Sequence, residues 1–151
     1  MTKAHEIMTK DVATLNPETS VKDAAKLFAK KGIGGAPVID ENGNLVGIVS
    51  ESDLIMRDVK AHFPHYIALL DSVIFLGGLH QYEEQVKKAV GATVGQVMTT
   101  EVVTVTEDAS IEEVAQLMME KHISRLPVVK DNKIRGIITK RNIVATIGSA
   151  K

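Results

Sequence analysis

The sequence predicts an α/β protein made of two copies of one helix–hairpin–helix unit, with a helical insert between them. Three observations carry that prediction. Blocks of similar sequence recur at an offset of 90 residues: IMTKDVATL at 7–15 with VMTTEVVTV at 97–105, SVKDAAKLFAKKGI at 20–33 with SIEEVAQLMMEKHI at 110–123, and APVI at 36–39 with LPVV at 126–129. In each copy a stretch with apolar residues at i, i+3, i+4 and i+7 follows the opening block, which is helix periodicity. After it, two β-branched runs flank a turn signal, which is the mark of a hairpin.

The elements follow in order. Each copy opens on a short extended stretch. The first helix starts at Ser20 or Ser110, with Asp23 or Glu113 three residues on to complete a capping box. Its apolar stripe is Val21, Ala24, Ala25 and Phe28 in the first copy and Ile111, Val114, Ala115 and Met118 in the second. The strand pairs are PVID with LVGIVS, and PVV with IRGIIT. Between them the second copy is one residue shorter, at the place where a turn absorbs the loss. Asn42-Gly43 signals a type I′ turn, and Asp131-Asn132 tolerates left-handed dihedrals. A second helix ends each copy. A unit of about 55 residues is marginal alone, so the copies are expected to cover each other.

Residues 60–93 have no counterpart in the repeat. YIALLDSVIFL after Pro64 is apolar almost all round, and QYEEQVKKAV is amphipathic, with Glu83/Lys87 and Glu84/Lys88 at i, i+4 spacing. Two helices separated by Gly77-Gly78 are expected, the first buried against the repeats or another subunit. The organisation is then a first repeat at 5–60, a helical insert at 61–93 and a second repeat at 94–148, forming one module.

Composition narrows the function. Eighteen basic and nineteen acidic residues leave a net charge of −1, so no basic field recruits nucleic acid or anionic lipid. Zero cysteines exclude disulfides, zinc–thiolate sites and thiol nucleophiles, and with no signal peptide at the start a cytoplasmic protein is expected. The longest apolar stretch, 66–79, carries Asp71 and a glycine pair and does not read as a membrane span. No nucleophile elbow, Walker loop or dinucleotide fingerprint is present. GIGGAP lies between a helix and a strand, the reverse of a phosphate loop. His62 and His65 have helical metal-ligand spacing, but Pro64 between them breaks the helix, and these two with His80 are expected to be structural or interfacial. No metal and no catalytic residue are expected.

The last strand of each copy runs into GIVSESDL at 47–54 and GIITKRNI at 136–143. Ser50 with Asp53, and Thr139 with Asn142, can be helix caps alone, or caps that also hold a ligand's hydroxyl groups. The sequence leaves both open.

In both halves the ordered combination of an MT opening, a helix, a (G/R)-x-P-V turn and a closing G-h-h-(S/T)-x-x-(D/N) resembles the CBS domain, the module named after cystathionine β-synthase. The resemblance covers about 110 residues, and the insert is similar to one in some stand-alone prokaryotic members. It implies two repeats packed through their small sheets in pseudo-twofold fashion, leaving two clefts for adenosine-containing ligands, and commonly a flat dimer. Ribose contacts then fall to Ser50, Asp53, Thr139 and Asn142, the last without the charge assistance of an aspartate. Phosphate contacts fall to Ser124, Arg125, Lys140 and Arg141, with Gly34 and Gly35 offering close backbone approach in the first copy. The adenine slot falls to Met8 and Ala13 or Met98 and Val103, with Ile137 or Ile48 beside them.

The expected function is a non-catalytic sensor of an adenine nucleotide (AMP, ADP or ATP, ahead of S-adenosylmethionine or a cyclic dinucleotide). It is expected to be a homodimer that reports to an unidentified protein partner, with no nucleic acid or membrane involved. The alternatives are a ligand-free interaction module and a separately encoded regulatory subunit of an enzyme or transporter.

Overall fold

The structure, a computed structural model, describes residues 2–55 and 92–149. The insert helices expected within 61–93, with His62, His65 and His80, lie outside the described residues except for Ala92 and Thr93. The described elements are α1 (Ala4–Ile7), α2 (Val21–Lys31), β1 (Gly35–Ile39), β2 (Leu45–Ser50), α3 (Val94–Val97), α4 (Ile111–Lys121), β3 (Arg125–Lys130), β4 (Lys133–Thr139) and α5 (Lys140–Ser149). Residues 51–55 are helical and follow β2 directly. Each copy therefore opens on a single helical turn, Ala4–Ile7 or Val94–Val97, ahead of the extended stretch, and then runs helix, hairpin, helix as the periodicity predicts. The opening turn is not expected from the sequence, because four residues are too short to show a helical period.

Local chemistry sets the helix ends. Ser20 Oγ accepts the Asp23 amide at 3.0 Å and Ser110 Oγ the Glu113 amide at 3.1 Å, the hydroxyl half of each predicted box. Both helices stop on a left-handed residue, Gly32 (φ 63°) and His122 (φ 55°). Ala24, Phe28, Val114 and Met118 are buried, whereas Ala25 is exposed and Ala115 half-buried. The buried stripe is thus narrower than the spacing suggests, because a small alanine at its rim gains little from cover.

The two turns differ. Asp131 (φ 51°) and Asn132 (φ 62°) are both left-handed between the paired Lys130 and Lys133, a two-residue type I′ turn. In the first hairpin only Gly43 (φ 81°) is left-handed, so Asn42-Gly43 is not type I′. The extra residue makes a longer loop closed by Asp40, whose carboxylate accepts the Asn42 and Asn44 amides at 2.9 Å each while its carbonyl accepts Gly43 at 3.0 Å. The Asn44 amide chiefly lowers the Asp40 pKa below the ordinary carboxylate value, with Asn42 and Lys133 assisting. Its support for the loop is therefore full above the ordinary value and is lost as pH falls through the lowered one.

The chain forms two compact units that do not coincide with the repeats: residues 1–14, 39–46 and 101–151 in one, 15–38 and 47–100 in the other. In the first unit the opening segment of the first copy joins the second copy's sheet. Thr9 and Ile137 exchange both backbone hydrogen bonds at 2.9 Å, and the Ala4 amide bonds Ala109 at 2.7 Å. β3 pairs antiparallel with β4, and Val105 bridges Val128 in parallel on the other edge of β3. Beneath them lies a core of Ala4, Val105, Ala109, Val114, Met118, Leu126, Val128 and Ile138. The turn residues of both hairpins also meet in this unit. The Leu45 amide bonds the Asn132 carbonyl at 2.9 Å, and Lys133 Nζ donates to the Asn42 carbonyl.

The second unit repeats the scheme with the copies exchanged. Thr99 and Ile48 trade backbone bonds at 2.9 Å, Leu15 bridges Val38 in parallel, and the Val94 amide reaches Thr19 at 2.7 Å. Its buried apolar residues include Leu15, Ala24, Phe28, Val38, Val49 and Val94. In both units the short bridges close the edges of a two-stranded sheet that would otherwise expose unpaired backbone.

Candidate functional site

The ends of β2 and β4 carry the same hydrogen-bonded pair. At β2 the Ser50 amide donates to Asp53 Oδ2 at 2.9 Å, the Ser50 hydroxyl donates to the same oxygen at 3.3 Å, and the Asp53 amide returns to Ser50 Oγ at 3.4 Å. At β4 the Thr139 amide and hydroxyl donate to Asn142 Oδ1 at 2.8 and 2.9 Å, and the Asn142 amide returns to Thr139 Oγ1 at 3.4 Å. All four residues are half-buried. The capping role is therefore real in both copies, and in each the cap uses one terminal atom of the acid or amide and leaves the other out of the box.

The turn before each hairpin lies beside this pair. The Glu51 amide donates to the Gly34 carbonyl at 3.0 Å and the Lys140 amide to the Ser124 carbonyl at 3.1 Å, tying the first turn of each following helix to the (G/R)-x-P-V turn. In the second copy Arg125 stands directly opposite Thr139 in the strand register and is half-buried. The structure thus brings together Thr139, Asn142, Ser124 and Arg125, while Lys140 and Arg141 are exposed on the first turn of α5. In the first copy Ser50, Asp53, Gly34 and the buried Gly35 are assembled the same way, with glycine backbone where the second copy has Ser124 and Arg125.

The MT openings reach these strands from the other copy. A Cβ placed on Gly136 would sit 2.5 Å from Met8 Sδ and 3.0 Å from the Thr9 carbonyl oxygen, and one on Gly47 would sit 2.5 Å from Met98 Sδ and 3.1 Å from the Thr99 oxygen. The methionine of one copy therefore lies across the glycine of the other's last strand, next to Ile137 in one unit and Ile48 in the other. Met8 and Val103 pack against the core of the first unit; Ala13 is half-buried in that unit as well. Neither glycine was assigned a role from the sequence. The available signal was the recurrence of both M-T and G-I in each copy.

Among the described residues no group of three or more His, Asp or Glu side chains is placed to hold a metal ion, and no helix is long and apolar enough to cross a membrane.

Comparison with known proteins places these features in a wider set. The family described as CBS domain matches residues 4–60 and 94–149. CBSX2, a chloroplastic CBS domain-containing protein of Arabidopsis thaliana, is 35% identical over 133 residues, covering 86% of this chain and 56% of its own length. The chain thus spans little more than half of that relative. An uncharacterized protein of Methanocaldococcus jannaschii, MJ1426, is 31% identical over 150 residues, covering 94% of this chain and 89% of its own. Among solved structures, CBSX2 in complex with AMP superposes with a TM-score of 0.75 at 31% identity over 97% of this chain and 96% of that one. The CBS domain pair of MJ0100, in complex with 5′-methylthioadenosine and S-adenosyl-L-methionine, gives 0.72 at 27% identity over 100% of this chain and 99% of that one.

Proposed function

The chain belongs to the CBS domain family, as a tandem pair, and from that membership we propose that it is a regulatory module that binds an adenine nucleotide and has no catalysis of its own. The observation that carries the reading is the duplicated, half-buried Ser/Thr–Asp/Asn pair at a strand end, in a chain similar along nearly its whole length to one solved with AMP. Ser50 with Asp53, and Thr139 with Asn142, would take the ribose. Arg125, Ser124 and the helix starts at Glu51 and Lys140 would take phosphate, with Lys140 and Arg141 adding positive charge and Gly34 and Gly35 backbone donors. Met8 and Ala13 beside Ile137, and Met98 beside Ile48, would line the adenine slots; Val103, expected with Met98, lies instead in the unit of Met8. AMP, ADP and ATP fit this donor set ahead of S-adenosylmethionine, because Arg125 offers a guanidinium to phosphate.

A thermal shift series tests the ligand class. A ligand that binds only the folded state adds about 2.7 kcal/mol at a hundredfold excess over Kd, and each kcal/mol moves the midpoint of a protein this size by roughly 2–4 °C. Millimolar AMP, ADP or ATP is expected to raise the Tm by several degrees. Adenosine should raise it less, lacking a phosphate for Arg125, and GTP less, because guanine reverses the donor and acceptor at the six-position. No shift with any adenine compound, S-adenosylmethionine and cyclic dinucleotides included, rejects the reading in favour of a ligand-free interaction module.

The same proposal includes a cytoplasmic homodimer that reports to a protein partner. Exposed Ile55 follows β2, and exposed Val144 and Ile147 lie on α5, apolar surface that a second copy would cover. Light scattering in line with gel filtration is expected to give the dimer mass, and a monomer at tens of micromolar would refute it.

A further inference from the structure

We propose that the two strand-end sites differ in the ribose oxygens they accept. The Asp53 site requires a free hydroxyl hydrogen, whereas the Asn142 site also takes an adenosine whose 2′- or 3′-oxygen is substituted as an ether, ester or phosphodiester. This inference rests on the adenosine reading above and deepens it, and Asn142 becomes a specificity-determining residue.

The argument starts from the cap bonds. The Thr139 backbone amide can only donate, so the Asn142 atom 2.8 Å from it must be the acceptor Oδ1, which fixes the orientation of the amide. The Thr139 hydroxyl also donates to Oδ1 at 2.9 Å, and these two bonds occupy both lone pairs of that oxygen. What the cap leaves over is Nδ2, which has two hydrogens and no acceptor capacity. At the other site the Ser50 amide and hydroxyl take Asp53 Oδ2, leaving Oδ1, which has lone pairs and a share of the negative charge but no hydrogen. The same box built from Asp or Asn therefore turns opposite polarities toward a ligand.

A free hydroxyl satisfies either polarity, because it both donates and accepts. A substituted oxygen only accepts. Against Asp53 Oδ1 it sets lone pair against anionic lone pair, whereas against Asn142 Nδ2 it receives a hydrogen bond of ordinary strength.

Calorimetric titration of AMP, 2′-O-methyl-AMP and 3′-O-methyl-AMP into the wild-type chain, Asp53→Asn and Asn142→Asp tests this. Both residue types already hold the box in this chain, so each substitution should preserve the cap, and an unchanged Tm verifies it. In the wild type at least one methylated nucleotide should bind the Asn142 site within about threefold of AMP and the Asp53 site about tenfold or more weakly. Asp53→Asn should make both sites tolerant, and Asn142→Asp should abolish tolerance. If the methylated nucleotides are accepted alike, or refused alike, by all three proteins while AMP binds, the polarity assignment is wrong and the adenosine reading survives. If AMP binds none of the three, the adenosine reading fails and takes this inference with it.

Discussion

Asp53→Ala is expected to weaken AMP binding at its site by about ten- to a hundredfold. A charge-assisted hydrogen bond contributes roughly 1.5–3 kcal/mol, and removing the carboxylate removes the acceptor proposed for the ribose. The same substitution also strips the Ser50 amide of its 2.9 Å partner, so the fold loses a helix cap worth about 0.5–2 kcal/mol. Asp53→Asn separates the two effects. Asn142 shows within this chain that an amide oxygen fills the cap position equally well, with bonds of 2.8 and 2.9 Å. The asparagine variant should therefore keep its Tm and lose only the few-fold of AMP affinity that the charge adds, whereas the alanine variant should lose both stability and binding. If the alanine variant melts lower but binds AMP as before, Asp53 is a cap and nothing more.

Gly136→Ala and Gly47→Ala are expected to destabilise the fold by about 1–3 kcal/mol each, a fall in Tm of roughly 2–12 °C. The added methyl would meet Met8 Sδ or Met98 Sδ at 2.5 Å, and the carbonyl oxygen of Thr9 or Thr99 at 3.0 or 3.1 Å. A methionine side chain can swing aside, but the threonine carbonyl is held by its bond to Ile137 or Ile48 at 2.9 Å. Met8→Ala in the Gly136→Ala background should recover the part due to the side chain, and the residue of the loss belongs to the backbone contact. Full additivity in that double-mutant cycle would show that Met8 does not pack on Gly136.

What the sequence disclosed depended on the range of the physics involved. The helices over Val21–Lys31 and Ile111–Lys121 were legible because stripe and serine cap lie within a few turns of one another. The hairpin in the second copy was legible because Asp131 and Asn132 are short side chains that accept positive φ. Asn42-Gly43 carried the same local signal, yet the Asp40 carboxylate organised a longer loop around itself. A carboxylate that accepts two amides outweighs a dipeptide preference.

The exchange of opening segments between the copies was beyond periodicity altogether. A bridge such as Thr9 with Ile137 or Thr99 with Ile48 involves one residue on each side and leaves no pattern along the chain. Its trace was the bare glycine at 47 and 136, whose need is explained only by the methionine that crosses it. The capping pairs at Ser50 and Thr139 were legible as caps from their spacing. The ribose role proposed for them enters through family membership, because a cap needs the same atoms with or without a ligand.

Native mass spectrometry of the intact chain, as purified and after addition of AMP, tests the central proposal most directly. Each bound species would be released and identified by its own mass and fragments. The account predicts an adenosine-containing nucleotide retained through purification or taken up on addition of AMP, with uptake weakened in Asp53→Ala. A chain that carries no adenosine compound as purified and binds none at millimolar AMP would contradict it.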